Sequence, residues 1–117
     1  MTGDESLRRR KDFQRLYEHG SSFRSRSLVL IFERSDGRPF RVGVVASRKV
    51  GNAVERNRAK RWLREAHRHA RENSHLEGVH LVLIARRASP SAGYHQIRDE
   101  VSRLYEHAGL LVPPLKS

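Results

Sequence analysis

Apolar positions along the chain follow two rhythms. In LRRRKDFQRLYEHG (7–20), Phe13, Leu16 and Tyr17 recur at i, i+3 and i+4, one face of a short helix. Asp12 suits its first turns, and Gly20 reads as a C′ stop. SLVLIFER (27–34) is a β-prone apolar run, and SDGRP (35–39) is a turn. FRVGVVASRKV (40–50) alternates as a second strand, with Val42, Val44 and Ala46 on one face and Gly43, Val45 and Ser47 on the other. The dipeptide GN (51–52) breaks it, and a helix follows from about Ala53 to His69 or Arg71. After the loop ENSHLEG (72–78), VHLVLIARR (79–87) is a third strand. ASPSAG (88–93) connects it to a last helix and offers Ser89 and Ser91 as N-caps. That helix, Tyr94 to His107, spaces Tyr94, Ile97, Val101, Leu104, Tyr105 and Ala108 helically, and Gly109 closes it.

The order is α-β-β-α-β-α, with room for one short extra strand. Strands and helices mix without strict alternation, so the pattern predicts an α+β fold rather than a doubly wound sheet. A length of 117 residues suits one domain, with an ordered core over about 7–110 and short polar tails.

Charge narrows the function. The chain carries a net +11 and 37% hydrophobic residues, and its pI is near 11.3. That balance points to a polyanionic partner, nucleic acid or an anionic membrane. The longest apolar runs are short and strand-like, and there is no cysteine for a disulfide or a thiolate metal site. The expectation is a soluble, cytoplasmic protein with no membrane contact and no small-molecule cofactor. Of the 24 basic residues four are lysine (11, 49, 60 and 116), which leaves 20 arginines. Arginine grips phosphate bidentately and stacks on bases, which suits RNA. GC-rich coding also raises the arginine share, but it does not explain the net charge.

The charge concentrates in one helix. Residues 56–71 hold seven Arg or Lys and one acid, Glu65. Arg56, Lys60, Arg64, His67 and Arg71 form one stripe, flanked by Arg61 and Arg68 with Asn57 between. Ala59, Leu63, Ala66 and Ala70 form the opposite stripe, with Trp62 at its edge. Six like-charge pairs at i,i+3 or i,i+4 cost roughly 1–3 kcal/mol together. Glu65 recovers part of this through Arg61 and Arg68. A bland solvated face mixes signs, and this one does not. The small alanine-rich apolar stripe suits a membrane surface poorly.

SRKVGNAVERNRAKRWLRE (47–65) resembles the signature of the protein subunit of bacterial ribonuclease P, whose core GNAVxRNRxKRxxRE it matches in full. DFQRLYEHGSSF (12–23) is similar to the family's N-terminal helix and following loop, and LVLIARR (81–87) to its later strand. The resemblance covers about residues 7–108. It implies a compact α+β sandwich in two layers, a four-stranded sheet packed with three helices in the order α-β-β-β-α-β-α, and a left-handed βαβ crossover. It also implies a function. The holoenzyme is an endoribonuclease that removes the 5′ leader of precursor tRNA. Catalysis lies in the RNA subunit with Mg²⁺ bound mainly by that RNA and the substrate, and the protein is a monomeric cofactor in a 1:1 complex.

The family pattern carries over to Lys49, Gly51, Asn52, Arg56, Asn57, Arg58, Lys60, Arg61 and Arg64; all of these except Gly51, together with Arg68, are the expected contacts to the RNA subunit, and Gly51 permits a turn that a side chain would obstruct. Asn52 and Asn57 have a second reading, holding the turn by hydrogen bonds. The family's leader cleft lies between the N-terminal helix and the sheet face. Phe13 and Tyr17 match its helical aromatics, and their alternative is ordinary core packing. Arg24, Arg26 and Lys49 are the expected phosphate contacts there, and Phe32 is the candidate strand aromatic. Phe23 and Phe40 are assigned to the core. No residue is expected to be catalytic or to hold a metal: Asp4, Asp12, Asp36 and Asp99 are scattered, and His67 and His69 point apart on a helix. Two other classes stay open, a structural protein of another RNA assembly and an autonomous nuclease.

Overall fold

The computed structural model describes residues 5–112. Among these the order is α1 (Arg10–His19), β1 (Ser21–Arg24), β2 (Leu28–Arg34), β3 (Arg41–Val45), a 3-10 turn (Arg48–Val50), α2 (Ala53–Arg71), β4 (Val79–Ala85), a one-turn helix α3 (Ser89–Ala92) and α4 (Tyr94–His107). The strands form one sheet in the order β1-β2-β4-β3. β2 pairs antiparallel with both β1 and β4, whereas β3 and β4 are parallel and joined through α2. This is the α+β sandwich implied by the resemblance, with β1 as the short extra strand.

β4 explains the layering. It is paired on both edges, and its sequence VHLVLIA is apolar on both faces, as a covered central strand requires. Leu81 and Leu83 face a core shared with Leu28 and Leu30 of β2, Ala59 and Leu63 of α2, and Ile97, Val101 and Tyr105 of α4. Val82 and Ile84 face the other way and receive α1 through Leu16 and Phe13. The sheet is therefore covered on both faces where α1 crosses it, which makes three layers there instead of the two expected. The extra helix α3 likewise raises the expected three helices to four.

α2 is held by small residues. Ala59, Leu63 and Ala66 are fully buried and Ala70 nearly so. Burying Leu63 alone contributes about 1.5–3 kcal/mol, enough to offset the like-charge repulsion along the same helix.

The helix ends depart from expectation in two places. Gly20 does not adopt a left-handed C′ conformation; its φ is −72°. It is needed for space, since a Cβ there would lie 2.6 Å from Ile31 Cγ2 and 2.7 Å from the Leu16 carbonyl oxygen. Ser89 and Ser91 do not cap α4, which begins after Gly93 without a side-chain cap. Ser89 is buried, and its hydroxyl donates to the Ser27 carbonyl at 2.6 Å. Ser91 donates to the Ala88 carbonyl. Gly109 does close α4: its N–H donates to the Glu106 carbonyl and the Leu110 N–H to the Tyr105 carbonyl, a Schellman pair.

Much of the two expected polar tails lies outside the described residues. Within them, Glu5 to Leu7 are not loose. The Leu7 N–H donates to the Val42 carbonyl and the Val42 N–H to the Glu5 carbonyl, both at 2.8 Å. This short segment covers the outer edge of β3, which would otherwise offer unpaired backbone groups.

Candidate nucleic-acid interface

The turn before α2 is built by its own side chains. Asn52 Oδ1 accepts from the Glu55 N–H at 2.9 Å, and Glu55 Oε1 accepts from the Asn52 N–H at 3.0 Å, a reciprocal capping box. Gly51 sits at φ +150°, where a Cβ would overlap the Glu55 carboxylate. Arg56 Nη1 donates back to the Gly51 carbonyl at 2.9 Å. Asn52 and Arg56 thus hold the turn, the second of the two readings offered for Asn52. Lys49 stays exposed on the 3-10 turn, whose N-terminus is capped by Ser47.

α2 is rotated relative to the expected stripe. His67 does not join the exposed cations. It is buried, stacked on Phe40 at 5.4 Å between ring centroids, and its Nδ1 lies 2.6 Å from the Tyr105 hydroxyl. Arg71 pairs with both carboxylate oxygens of Glu5. The stripe that faces solvent is Asn57, Arg61, Arg64 and Arg68, again in steps of 4, 3 and 4. Lys60 and Arg58 are half-buried at its flanks, and the Arg58 guanidinium lies over the Trp62 ring at 5.9 Å. Among these only Arg68 has an acid partner, Glu65, one helical turn away. Arg61 and Arg64 carry uncompensated charge.

The α1 face of the sheet has a second surface, organised in rows by strand register. Ser22, Ile31, Val82 and Gly43 form one row across all four strands. α1 lies over it: Gly20 abuts Ile31, Leu16 packs on Val82, and the Phe13 ring fills the space where Gly43 lacks a Cβ. Arg15 of α1 is bidentate on Glu33 of β2, at 2.8 and 3.0 Å. The next row is Arg24, Val29, Ile84 and Val45. Its three apolar members are half-buried, and Ile84 and Val45 pack against the cluster that includes Leu16 of α1. Tyr17 is 51% exposed, and its ring lies 6.5 Å from that of the half-buried Phe13.

Phe32 is not part of this surface. It points to the opposite face, against the α2/α4 core, and stacks on Phe23 at 6.2 Å. The reason is register: alternation puts Val29 and Ile31 on the α1 side and Leu30 and Phe32 on the other. Arg26 is exposed past the end of β1 and lines a groove with Arg24, Gln96, Arg103 and His107. Among the described residues no three His, Cys, Asp or Glu side chains gather as a metal site would require, and no helix is long and apolar enough to cross a membrane.

The model of the ribonuclease P family matches residues 1–109. The ribonuclease P protein component of Symbiobacterium thermophilum is 42% identical over 106 residues, 90% of this chain and 91% of its own length. This chain belongs to the ribonuclease P protein family. The Clostridium botulinum (strain Loch Maree) component is 35% identical over 107 residues, covering 92% of this chain and 96% of that one. Among solved structures, the RNase P protein of Staphylococcus aureus superposes with a TM-score of 0.81 at 27% identity, covering 93% of this chain and 99% of that one. The Thermotoga maritima RNase P protein gives 0.76 at 29% identity, covering 88% and 96%. Membership makes the chain a component of an endoribonuclease.

Two buried titratable groups of this family member leave no mark in the pattern of apolar positions. The Glu100 carboxylate of α4 accepts from Ser25 Oγ, the Ser27 N–H, Ser27 Oγ and Gln96 Nε2 at 2.5–2.8 Å. Burial pushes its pKa up, but these four hydrogen bonds together outweigh burial and hold it below the usual range. They also fix the Ser25–Ser27 bend, which carries Arg26 and directly follows Arg24 of β1. His67 is the second. Burial, reinforced by Arg71 and Arg68 and opposed by Glu5, lowers its pKa from 6.5 to about 4.

That depression gives stability a pH dependence. The unfolded chain takes up a proton at His67 below about pH 6.5 while the folded chain does not, so the contribution is complete above that pH. It is lost as pH falls toward about 4. The total is about 3 kcal/mol. The lowered carboxyl pKa values of Glu5, Glu33 and Glu100 act in a more acidic window, below the ordinary carboxylate range. A His67→Phe/Tyr105→Phe variant removes both partners of the buried hydrogen bond together. Urea unfolding of both proteins between pH 7 and pH 5 is expected to show a shallower loss of stability in the variant. Equal slopes would mean that His67 is protonated in the fold without cost.

Proposed function

We propose that the chain is the protein cofactor of a ribonuclease P holoenzyme, grips the RNA subunit with α2 and holds the 5′ leader of precursor tRNA on the α1 face. Lys49, Arg58, Lys60, Arg61, Arg64 and Arg68 contact phosphates of the RNA subunit, and Asn57 projects among them. Asn52 and Arg56 act by shaping the turn. Phe13 and Tyr17 offer ring surface to the leader, the row from Val29 to Val45 forms the apolar floor, and Arg24 and Lys49 take its phosphates. Arg26 extends that charge toward α4. The RNA subunit carries out the hydrolysis with Mg²⁺ held mainly by RNA and substrate, in a cytoplasmic complex of one protein and one RNA.

The observation that carries this reading is the stripe on α2, in which Arg61 and Arg64 carry uncompensated charge. Charge repulsion on a helix is retained where a polyanion cancels it, and each phosphate neutralised releases a counterion. The exposed ring of Tyr17 beside half-buried apolar floor and flanking cations suits a single strand, which is bound by stacking and positive charge together.

The deciding experiment is precursor tRNA cleavage at low Mg²⁺ with protein alone, with cognate RNA subunit alone, and with both. Efficient cleavage at the mature 5′ end is expected only from the mixture. Cleavage by the protein alone, or no gain over the RNA alone, contradicts the reading.

Arg61→Ala and Arg64→Ala are each expected to weaken RNA-subunit binding and to flatten its log–log salt dependence by about one for each phosphate that the arginine neutralises. An unchanged slope would place the residue off the interface.

Tyr17→Ala, at an exposed position, is expected to cost about 1–3 kcal/mol of affinity for leader-bearing precursor. An equal loss for tRNA without a leader would remove Tyr17 from the leader site.

A further inference from the structure

The apolar row on the α1 face has a direction. It runs from Val45 at the end of β3, through Ile84 and Val29, to Arg24 of β1. β3 leads into the 3-10 turn that carries Lys49 and then into α2, the surface assigned to the RNA subunit. Hydrolysis belongs to the RNA subunit in the proposed holoenzyme, so the end of the leader next to the cleavage site lies at β3. The rest of the leader then points toward β1, the edge of the sheet. Three strand spacings make the row only about 14 Å across. A leader longer than the row leaves the sheet over β1.

At that exit, a groove of about 390 Å³ lies between the Ser25–Ser27 bend and α4, and Arg24 lines it too. Arg26 stands on one wall. Gln96, Glu100, Arg103 and His107 stand on the other, stepping along α4 by 4, 3 and 4, so they share one helical face. Arg24, Arg26, Arg103 and His107 are exposed.

Glu100 explains why these arginines are unpaired. Its i,i+3 spacing would let it meet Arg103. Its Oε1 instead accepts from Ser25 Oγ and the Ser27 N–H, and its Oε2 from Ser27 Oγ and Gln96 Nε2. A carboxylate offers about four lone-pair positions, and neutral donors fill them all. Among the described residues, Arg24, Arg26 and Arg103 have no carboxylate within ion-pair distance. Three arginines thus surround a concave surface whose one carboxylate belongs to a residue only 4% exposed. The phosphates of a polyanion cancel such a local excess of charge. No Phe, Tyr or Trp lines the groove, so it offers no such ring for a base to stack on. An acidic protein segment would meet the same charge, but it would leave unexplained why the groove continues the leader row through Arg24.

We infer that the groove between the Ser25–Ser27 bend and α4 receives the upstream part of the 5′ leader, which crosses the β1 edge at Arg24 and lays its phosphates against Arg26 and Arg103. This rests on the leader reading of the α1 face and extends the path of the leader beyond it. Nucleotides in the groove add affinity through charge, whatever their sequence.

The test uses the full chain assembled with its cognate RNA subunit, and precursors with an uncleavable scissile linkage whose leaders grow one nucleotide at a time. Arg103 is exposed and has no ion pair to lose. Arg103→Ala is expected to match the unmodified chain on short leaders. Once the leader is long enough to pass β1, it is expected to bind about two- to fivefold more weakly, the worth of one exposed ion pair. Its log–log salt slope on long leaders is expected to be flatter by about 0.7, one single-strand phosphate. Arg103→Glu is expected to deepen the loss at the same leader lengths, and a change of upstream base sequence to leave it in place. Equal affinity of variant and unmodified chain at every leader length overturns the inference. A loss already present on tRNA without a leader, or an unchanged salt slope, does so too. Tyr17→Ala separates this inference from the reading beneath it. If Tyr17→Ala weakens short-leader precursors while Arg103→Ala is silent throughout, the groove alone is excluded. If neither variant responds to the leader, the leader reading of the α1 face fails as well.

Discussion

The seating of α2 is the constraint on which the rest depends. Ala59, Ala66 and Ala70 have little to hold the helix by except closeness, and they let it approach α4 and the sheet until Leu63 is wholly enclosed. That contact sets the rotation of the helix about its axis. Once rotation is set, Asn57, Arg61, Arg64 and Arg68 face outward and His67 faces Phe40 and Tyr105. α2 is also the link between two adjacent parallel strands, β3 and β4, so its position and the sheet order constrain each other.

Four of the carboxylates aim a cation, close an edge or fix a turn. Glu33 anchors Arg15 and so ties α1 across the sheet. Glu5 meets Arg71 and holds the segment that covers β3. Glu55 completes the cap of α2, and Glu100 organises the Ser25–Ser27 bend. The exposed pairs contribute little to stability by themselves. Their effect is on placement: with these carboxylates occupied, Arg61 and Arg64 are left without a partner on the helix surface, which is the condition for binding phosphate.

Much of this is legible from local pattern. The boundaries of α4, the strand faces of β3 and the small-residue stripe of α2 follow from periodicities of 3.6 and 2, and Gly109 from its place after the last apolar position. The site is legible where a motif is continuous in sequence, as from Lys49 to Arg68. Local pattern fails where one residue of register decides the face. Phe32 lies one position from the α1 side, and in a strand that single step exchanges the two faces of the sheet. The stripe on α2 escapes it for a similar reason, since a polar His67 gives no local sign that Phe40 and Tyr105 will enclose it.

By itself, then, the sequence determined the class of the fold, the order of its main elements, the concentration of charge on α2 and, through a motif contained in one stretch, the family. These are properties of neighbours along the chain: propensity, spacing and charge density. Tertiary structure alone decided that Glu5 to Leu7 close the β3 edge, that Arg24, Val29, Ile84 and Val45 align into one row, and that His67 turns inward with an unpartnered Nε2. Each depends on residues tens of positions apart meeting in one register, and no local preference encodes that meeting. It emerges only when the apolar faces of β2 and β4 have been covered from both sides.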